Sequence, residues 1–203
     1  MKLVLRAKSG NWESFDQRRL NRKFQLVRQE LTKRDKFTCQ YCHFRSAHLE
    51  IINVDNDFQN NRVGNMASCC ILCARCNLLD SYKIDYSGED KIIYLPELSQ
   101  EQLNHLVRTL FIKMVKGEEE ESYNARRIFS QLQDRATWLD EQAGVQLSHP
   151  ALFVHYLDSD EHDNKLVQRL RWLPALSTFK DYVSVWIKQY QADLDLLSRQ
   201  QSE

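Results

Sequence analysis

Glycine and proline are scarce in this chain, five and three among 203 residues. That excludes collagen-like and Gly/Pro-rich low-complexity chains. No apolar run approaches the roughly 18 residues of a membrane span. The opening Met1-Lys2-Leu3-Val4-Leu5-Arg6 has no signal-peptide h-region, so a cytoplasmic location is expected. Surplus charge is missing too: 28 Lys+Arg face 28 Asp+Glu, which argues mildly against a dedicated nucleic-acid binder. Cysteine is absent after position 76. What is present, 42% hydrophobic and 28% charged residues, is ordinary for a globular protein large enough to bury a core.

The zero net charge is unevenly distributed. Residues 1–50 hold twelve Lys+Arg against five Asp+Glu, a charge of +7, and residues 51–203 sixteen against twenty-three, −7. Such a basic quarter can meet phosphate, an anionic membrane or an acidic partner. No Lys/Arg block is long enough for a nucleic-acid tail, so these charges are read as a solvated helix face neutralised by the rest of the molecule.

All six cysteines lie between positions 39 and 76. Clustering in a chain without secretory features points away from disulfides and toward metal. Cys39-Gln40-Tyr41-Cys42 and Cys73-Ala74-Arg75-Cys76 are two C-x-x-C knuckles, and together they can close a tetrahedral four-sulfur site suited to one structural Zn²⁺. Cys39, Cys42, Cys73 and Cys76 are the expected ligands, since Asn77 can supply the turn that follows. Cys70-Ile71-Leu72-Cys73 has the same spacing, so whether Cys70 replaces Cys73 or Cys76 stays open. Cys69 and Cys70 are read as core. An ion held this way contributes on the order of 10 kcal/mol of apparent binding energy to folding.

Periodicity predicts an α+β chain that is mostly helical. A short strand is expected over 2–7, a basic helix over 15–34, a strand over 49–54 and a polar loop over 55–64. A helix begins near 78, and 84–86 with 91–95 reads as a hairpin ended by Pro96. Ser99 and Gln102 form a capping box before the stripe Leu103, Leu106, Val107, Leu110, Phe111 and Met114, stopped by Gly117. Further helices are expected over 122–144, from Ser148-His149-Pro150, through Leu166, Leu170 and Leu173, and from Ser177 onward. The expected organisation is an N-terminal strand and basic helix (1–34), a zinc module (35–97) and a helical part packed on it (98–203). Trp12, Trp138 and Trp172 lie off the tidiest stripes; as exposed aromatics they would be partner candidates, though packing in the core is the ordinary fate of tryptophan.

Arg34-Asp35-Lys36-Phe37-Thr38-Cys39-Gln40-Tyr41-Cys42, Leu49-Glu50-Ile51 and Leu72-Cys73-Ala74-Arg75-Cys76-Asn77 together resemble the ββα-metal region of Cys-containing HNH endonucleases. In that family the knuckles hold a structural Zn²⁺ while a separate Mg²⁺-type site cuts DNA. Here the acid and base positions fall on Ile52 and Asn53. An Asn amide does not take up a proton near neutral pH and cannot activate water as His does. Asn65 sits too far before Cys73 for the middle Asn, and Asn77 alone fits the last position. His43 and His48 precede the strand's catalytic end, and Asp55 with Asp57 reads as a turn. A relocated catalytic set would have to be drawn from His48, Asp55 and Asn77. No catalytic residue is expected.

A closer resemblance rests on Lys8-Ser9-Gly10-Asn11-Trp12, Asn60-Asn61-Arg62, Cys69-Cys70 and Ile93-Tyr94-Leu95-Pro96-Glu97. With the zinc module, these are similar to the IcmJ (DotN) family of the Dot/Icm type IVB secretion system. The resemblance implies an HNH-like fold used as a non-enzymatic scaffold with a structural zinc. Its implied partners are the C-terminal tail of the coupling ATPase DotL and, in the same complex, DotM, IcmS and IcmW, the assembly that recruits effectors. A cytoplasmic protein brought to the inner membrane by those partners is expected. Divergent nuclease or zinc-knuckle nucleic-acid binder is the alternative.

Overall fold

The computed structural model describes residues 1–84, 89–159 and 163–200, with side chains as far as residue 192. Residues 2–7, expected as a strand, form no strand and lie outside the sheets. Leu3 and Ala7 point into the core. The backbone is tied down by Arg6 N–H donating to Cys76 O at 2.8 Å and Leu79 N–H donating to Arg6 O at 3.0 Å. The single basic helix becomes two, α1 (Asn11–Leu20) and α2 (Arg22–Arg34). Asn21 makes the break: its backbone is extended and its side chain accepts the N–H groups of Lys23 and Phe24, capping α2. The start of α1 is capped from elsewhere in the chain. Gly10 offers no side chain, and Asp80 Oδ2 accepts Trp12 N–H at 2.8 Å.

Two small antiparallel sheets follow. β1 (Glu50–Asn53) pairs with β2 (Met66–Cys69), Glu50 opposite Cys69 and Asn53 opposite Met66. Every residue of both strands is buried, so both faces are covered; α2 and α3 (Ile71–Cys76) pack against this sheet. A 3₁₀ turn, Leu79–Lys83, stands where a helix was expected to begin.

The second sheet corrects one expectation. β3 (Lys91–Tyr94) pairs with β4 (Leu170–Leu173), Ile92 opposite Trp172. Residues 85–88, on which the expected hairpin depended, lie outside the described residues. The helix expected through Leu166, Leu170 and Leu173 is a short α7 (Asn164–Val167) followed by β4. Spacing alone cannot tell a brief helix from a short apolar strand. Pairing with β3 decides it, because it buries Trp172 completely.

The remaining helices are α4 (Gln100–Lys116), α5 (Glu119–Ala143), α6 (Pro150–Asp158) and α8 (Lys180–Gln200). The capping box at α4 is formed, with Gln102 N–H donating to Ser99 Oγ at 3.2 Å and Ser99 N–H to Gln102 Oε1 at 2.8 Å. At the α4–α5 turn a Cβ on Gly117 would lie 2.5 Å from Lys113 O. α5 ends at Gly144 in the left-handed region, φ 69°. One contiguous core runs from Leu3 and Phe15 through Leu72, Phe111 and Trp172 to Trp186. Of the tryptophans off the stripes, Trp172 is core, Trp12 is half-buried, and Trp138, 44% exposed, packs on Tyr94 at 4.5 Å between ring centroids. Among the described residues no helix is long and apolar enough to cross a membrane.

Candidate metal centre

The end of α2 shapes the first knuckle. Asp35 closes the helix, and its Oδ2 accepts Ser68 N–H of β2 at 2.8 Å. Lys36 and Phe37 then turn through the left-handed region, at φ 54° and 55°. Cys39 N–H donates to Phe44 O at 2.9 Å and His43 N–H to Cys39 O at 3.0 Å. His43, at φ 60°, completes the reversal. Cys42 N–H lies 3.5 Å from Cys39 Sγ, so both thiols face one side of the turn. His43 and His48 are exposed.

Four buried sulfurs come together within 4.8 Å of one another: Cys39, Cys42, Cys70 and Cys73. Three of them are the expected residues. Cys70 stands in the place expected for Cys76, which lies outside the cluster and donates to Leu72 O at 3.2 Å. Helix geometry explains the exchange. Cys70 is the N-cap residue of α3, with Cys73 three positions on, and side chains at those two positions converge as in a capping box. Cys76 is the last residue of the helix and points back along it. Cys69, as expected, is core.

The electrostatics do not sort cluster from core: within the cluster Cys39 and Cys42 fall, while contacts with Cys39 and Cys42 push Cys70 and Cys73 well above their ordinary range. Contacts with Cys39, Cys70 and Cys73 hold the Cys42 thiol well below its ordinary range. The Cys39 contact with Cys42 raises its own value, but Cys70 and Cys73 outweigh it and bring it down to about 7. Burial pushes Cys69 and Cys76 upward, so both remain thiols. The donor set suits a tetrahedral ion. Zn–S bonds of about 2.3 Å put neighbouring sulfurs about 3.8 Å apart, and Cys42 Sγ and Cys70 Sγ stand 3.6 Å apart.

A polar seam on α4 backs this cluster. Gln100, Asn104 and Arg108 recur every fourth residue and are all buried. The Gln100 amide bonds both backbone groups of Trp172 at 2.9 Å and donates to Asn104 Oδ1 at 3.0 Å. Asn104 Nδ2 is thereby turned to Cys73 Sγ, at 3.3 Å. Arg108 donates to Cys70 Sγ at 3.3 Å and to His105 Nδ1 at 3.4 Å. His105 therefore carries its proton on Nε2, which donates to Cys42 O at 2.6 Å. Attention to the apolar stripe alone misses these residues. Their signal is a four-residue polar repeat beside that stripe.

The residues on which the HNH resemblance places its expected chemistry are otherwise engaged. Asn53 is completely buried. Its Oδ1 accepts from Arg18 at 2.7 Å and its Nδ2 donates to Asp57 O and Asn60 O, both at 2.8 Å. Arg18 also donates to Ile51 O and lies over the rings of Phe24 and Phe58. Burial brings its guanidinium down to about 10, against the raising influence of Cys69 and Glu50. Asn65 and Asn60 donate to Asp55; the N–H of Asp57 and these amides hold the Asp55 carboxyl below its usual range. Asn77 is buried and donates to Cys73 O at 2.9 Å. His48, Asp55 and Asn77 thus have different surroundings: exposed, loop-bound and interior.

Architecture and site together define a mostly helical α+β protein with small antiparallel sheets, organised round a buried four-cysteine cluster able to hold a metal ion. Over 190 residues, 91% of this chain and 88% of the relative, the sequence is 32% identical to the type 4 apparatus protein DotN of Legionella pneumophila subsp. pneumophila, strain Philadelphia 1. The chain belongs to the DotN (IcmJ) family of Dot/Icm type IV secretion components. No family model matches the chain.

Proposed function

We propose that the chain is a non-catalytic, zinc-stabilised scaffold subunit of a type IVB secretion coupling complex. It binds the C-terminal tail of the coupling ATPase DotL and works beside DotM, IcmS and IcmW in recruiting effectors. The observation that carries this reading is the identity with DotN along nearly the whole chain. One structural Zn²⁺ sits among Cys39, Cys42, Cys70 and Cys73, and the framework around it, residues 35–97, is HNH-like without HNH chemistry. The N-terminal segment 1–34 and the helical part 98–203 pack on that module. The protein resides in the cytoplasm and reaches the inner membrane through its partners.

Asn53 supports the non-catalytic assignment. At the position of the general base it offers an amide without useful proton affinity, and three hydrogen bonds already engage that amide. The absence of surplus charge, 28 against 28, supports a protein partner over nucleic acid.

Calorimetric titration of the purified, zinc-loaded protein with the DotL C-terminal tail, at physiological salt, tests this function. Saturable one-to-one binding at micromolar strength or tighter is expected. No heat and no co-elution would overturn it, and metal-dependent cleavage of DNA would put the nuclease in its place.

A further inference from the structure

The basic surplus of residues 1–50 is only partly neutralised within the molecule. Lys8, Arg19, Arg28, Lys33 and Arg34 pair with carboxylates. Among the described residues Arg18, Arg22 and Lys23 do not, and all three stand where α1 meets α2. The guanidinium of Arg18 donates to Asn53 Oδ1 and Ile51 O, while the Glu50 carboxylate is taken by Arg19 and Arg28. Arg22 and Lys23 are exposed at the first two positions of α2, where the helix N-terminus adds partial positive charge.

These cations adjoin an open groove of about 500 Å³ between the two helices and residues 58–61. Its lining includes Arg18, Lys23, Phe24, Val27, Phe58 and Asn61, and no Asp or Glu. Phe24 and Val27 are half-buried and Phe58 is buried, which gives the groove an apolar floor beside its cations. Amide groups are free as well. Asn21 caps α2 through Oδ1, which leaves its Nδ2 without a partner among the described residues, and the Asn61 side chain makes no hydrogen bond there. Such a lining complements a polypeptide that brings carboxylates, an apolar side chain and its own backbone. Nucleic acid fits less well, because Arg18 already covers one face of Phe24 and of Phe58, at 4.7 and 4.6 Å from the ring centroids, where a base would stack. A bilayer takes a protruding apolar face, and this floor is recessed.

We propose that this groove is the docking site for an acidic segment of a partner protein, with carboxylates meeting Arg22 and Lys23 over Arg18, and an apolar side chain meeting Phe24 and Val27. This rests on the scaffold reading above and gives it a location and a recognition chemistry.

The test is calorimetric titration of the full-length, zinc-loaded protein with the C-terminal tail of the coupling ATPase, at low and at physiological salt. Arg22→Glu with Lys23→Glu reverses the charge at two exposed positions where acidic residues suit the helix. Asn61→Trp fills the groove and leaves the charge alone. Arg127→Glu with Lys180→Glu, both exposed, on α5 and α8, makes the same change of net charge elsewhere. Binding is expected to weaken about 10- to 100-fold in the groove charge variant, with a smaller salt dependence. It should weaken in Asn61→Trp with the salt dependence kept, and match the wild type in the remote variant. Groove variants that bind like the wild type overturn the proposal alone, and so does full binding by a folded Asn61→Trp. An equal loss in the remote variant overturns it too, since net charge and not the groove would then govern binding. A wild type that does not bind the tail overturns the scaffold reading and this proposal with it. Wild-type binding to a short DNA duplex, or to phosphatidylglycerol–phosphatidylcholine vesicles, that is lost in Arg22→Glu with Lys23→Glu would make nucleic acid or a membrane the occupant and overturn the protein assignment. Should Asn61→Trp not fold, the two charge variants decide.

Discussion

Cys70→Ser and Cys76→Ser each exchange one thiol for a hydroxyl around a single short helix, yet opposite behaviour is expected of them. Cys70 Sγ belongs to the four-sulfur cluster. Structural zinc contributes about 10–16 kcal/mol of apparent binding energy, or roughly 2.5–4 kcal/mol per ligand when shared among four. Serine at 70 should therefore weaken metal binding about 10²- to 10³-fold and lower the melting temperature with it. Cys76 lies outside the cluster, and its sulfur donates to Leu72 O at 3.2 Å. A serine hydroxyl keeps that bond, so the loss is one of packing, about 1 kcal/mol, with metal content unchanged. Cys39→Ser should behave like Cys70→Ser, releasing zinc and unfolding at least the module. The assay is zinc content after dialysis against a competing chelator, read by native mass spectrometry, beside a thermal melt. Zinc kept by Cys70→Ser and lost by Cys76→Ser would refute the geometric argument and return the centre to the Cys73–Cys76 pair.

Asn53→His replaces a buried side chain that makes three hydrogen bonds. It should cost about 2–3 kcal/mol in chemical denaturation and bring no metal-dependent DNA cleavage; clear cutting by this variant would contradict the scaffold assignment. Gly117→Ala sets a Cβ 2.5 Å from Lys113 O and should destabilise by about 1–3 kcal/mol, so an unmoved melting temperature would show that the α4–α5 turn relaxes freely. Burial pushes the Asp80 carboxyl above its ordinary value. The stability linked to its proton is therefore present below the unfolded value near 3.9 and lost as pH rises through the folded one. Relative to Asp80→Asn, the wild type should lose stability across that rise, measured by denaturation at stepped pH on samples of known metal content; a flat difference would count against the shift.

Much of the site could be read from residue order because its signals are local. Two-residue gaps between cysteines, a capping box and an apolar stripe on one helix all act over a few positions. The uncertain point was local as well. Two overlapping C-x-x-C words share Cys73, and what separates them is where α3 starts. The helix begins at Ile71, which brings Cys70 beside Cys73 in the four-sulfur cluster. The polar repeat Gln100, Asn104, Arg108 was visible but mute, since its meaning depends on what α4 lies against.

The sequence by itself determined the class of chain: mostly helical with a few short strands, a cysteine-rich stretch near the N-terminal side able to hold a metal ion, and likeness to a secretion component. Tertiary structure decided what depends on contacts between distant segments. β3 could not be matched to β4 beforehand, because a strand so short is stabilised by its partner. The break at Asn21, the capping of α1 by Asp80 and the closing of the sulfur site by α4 are likewise choices among local options of similar energy. Packing settles them, because burying an unpaired polar group costs more than any local preference gains.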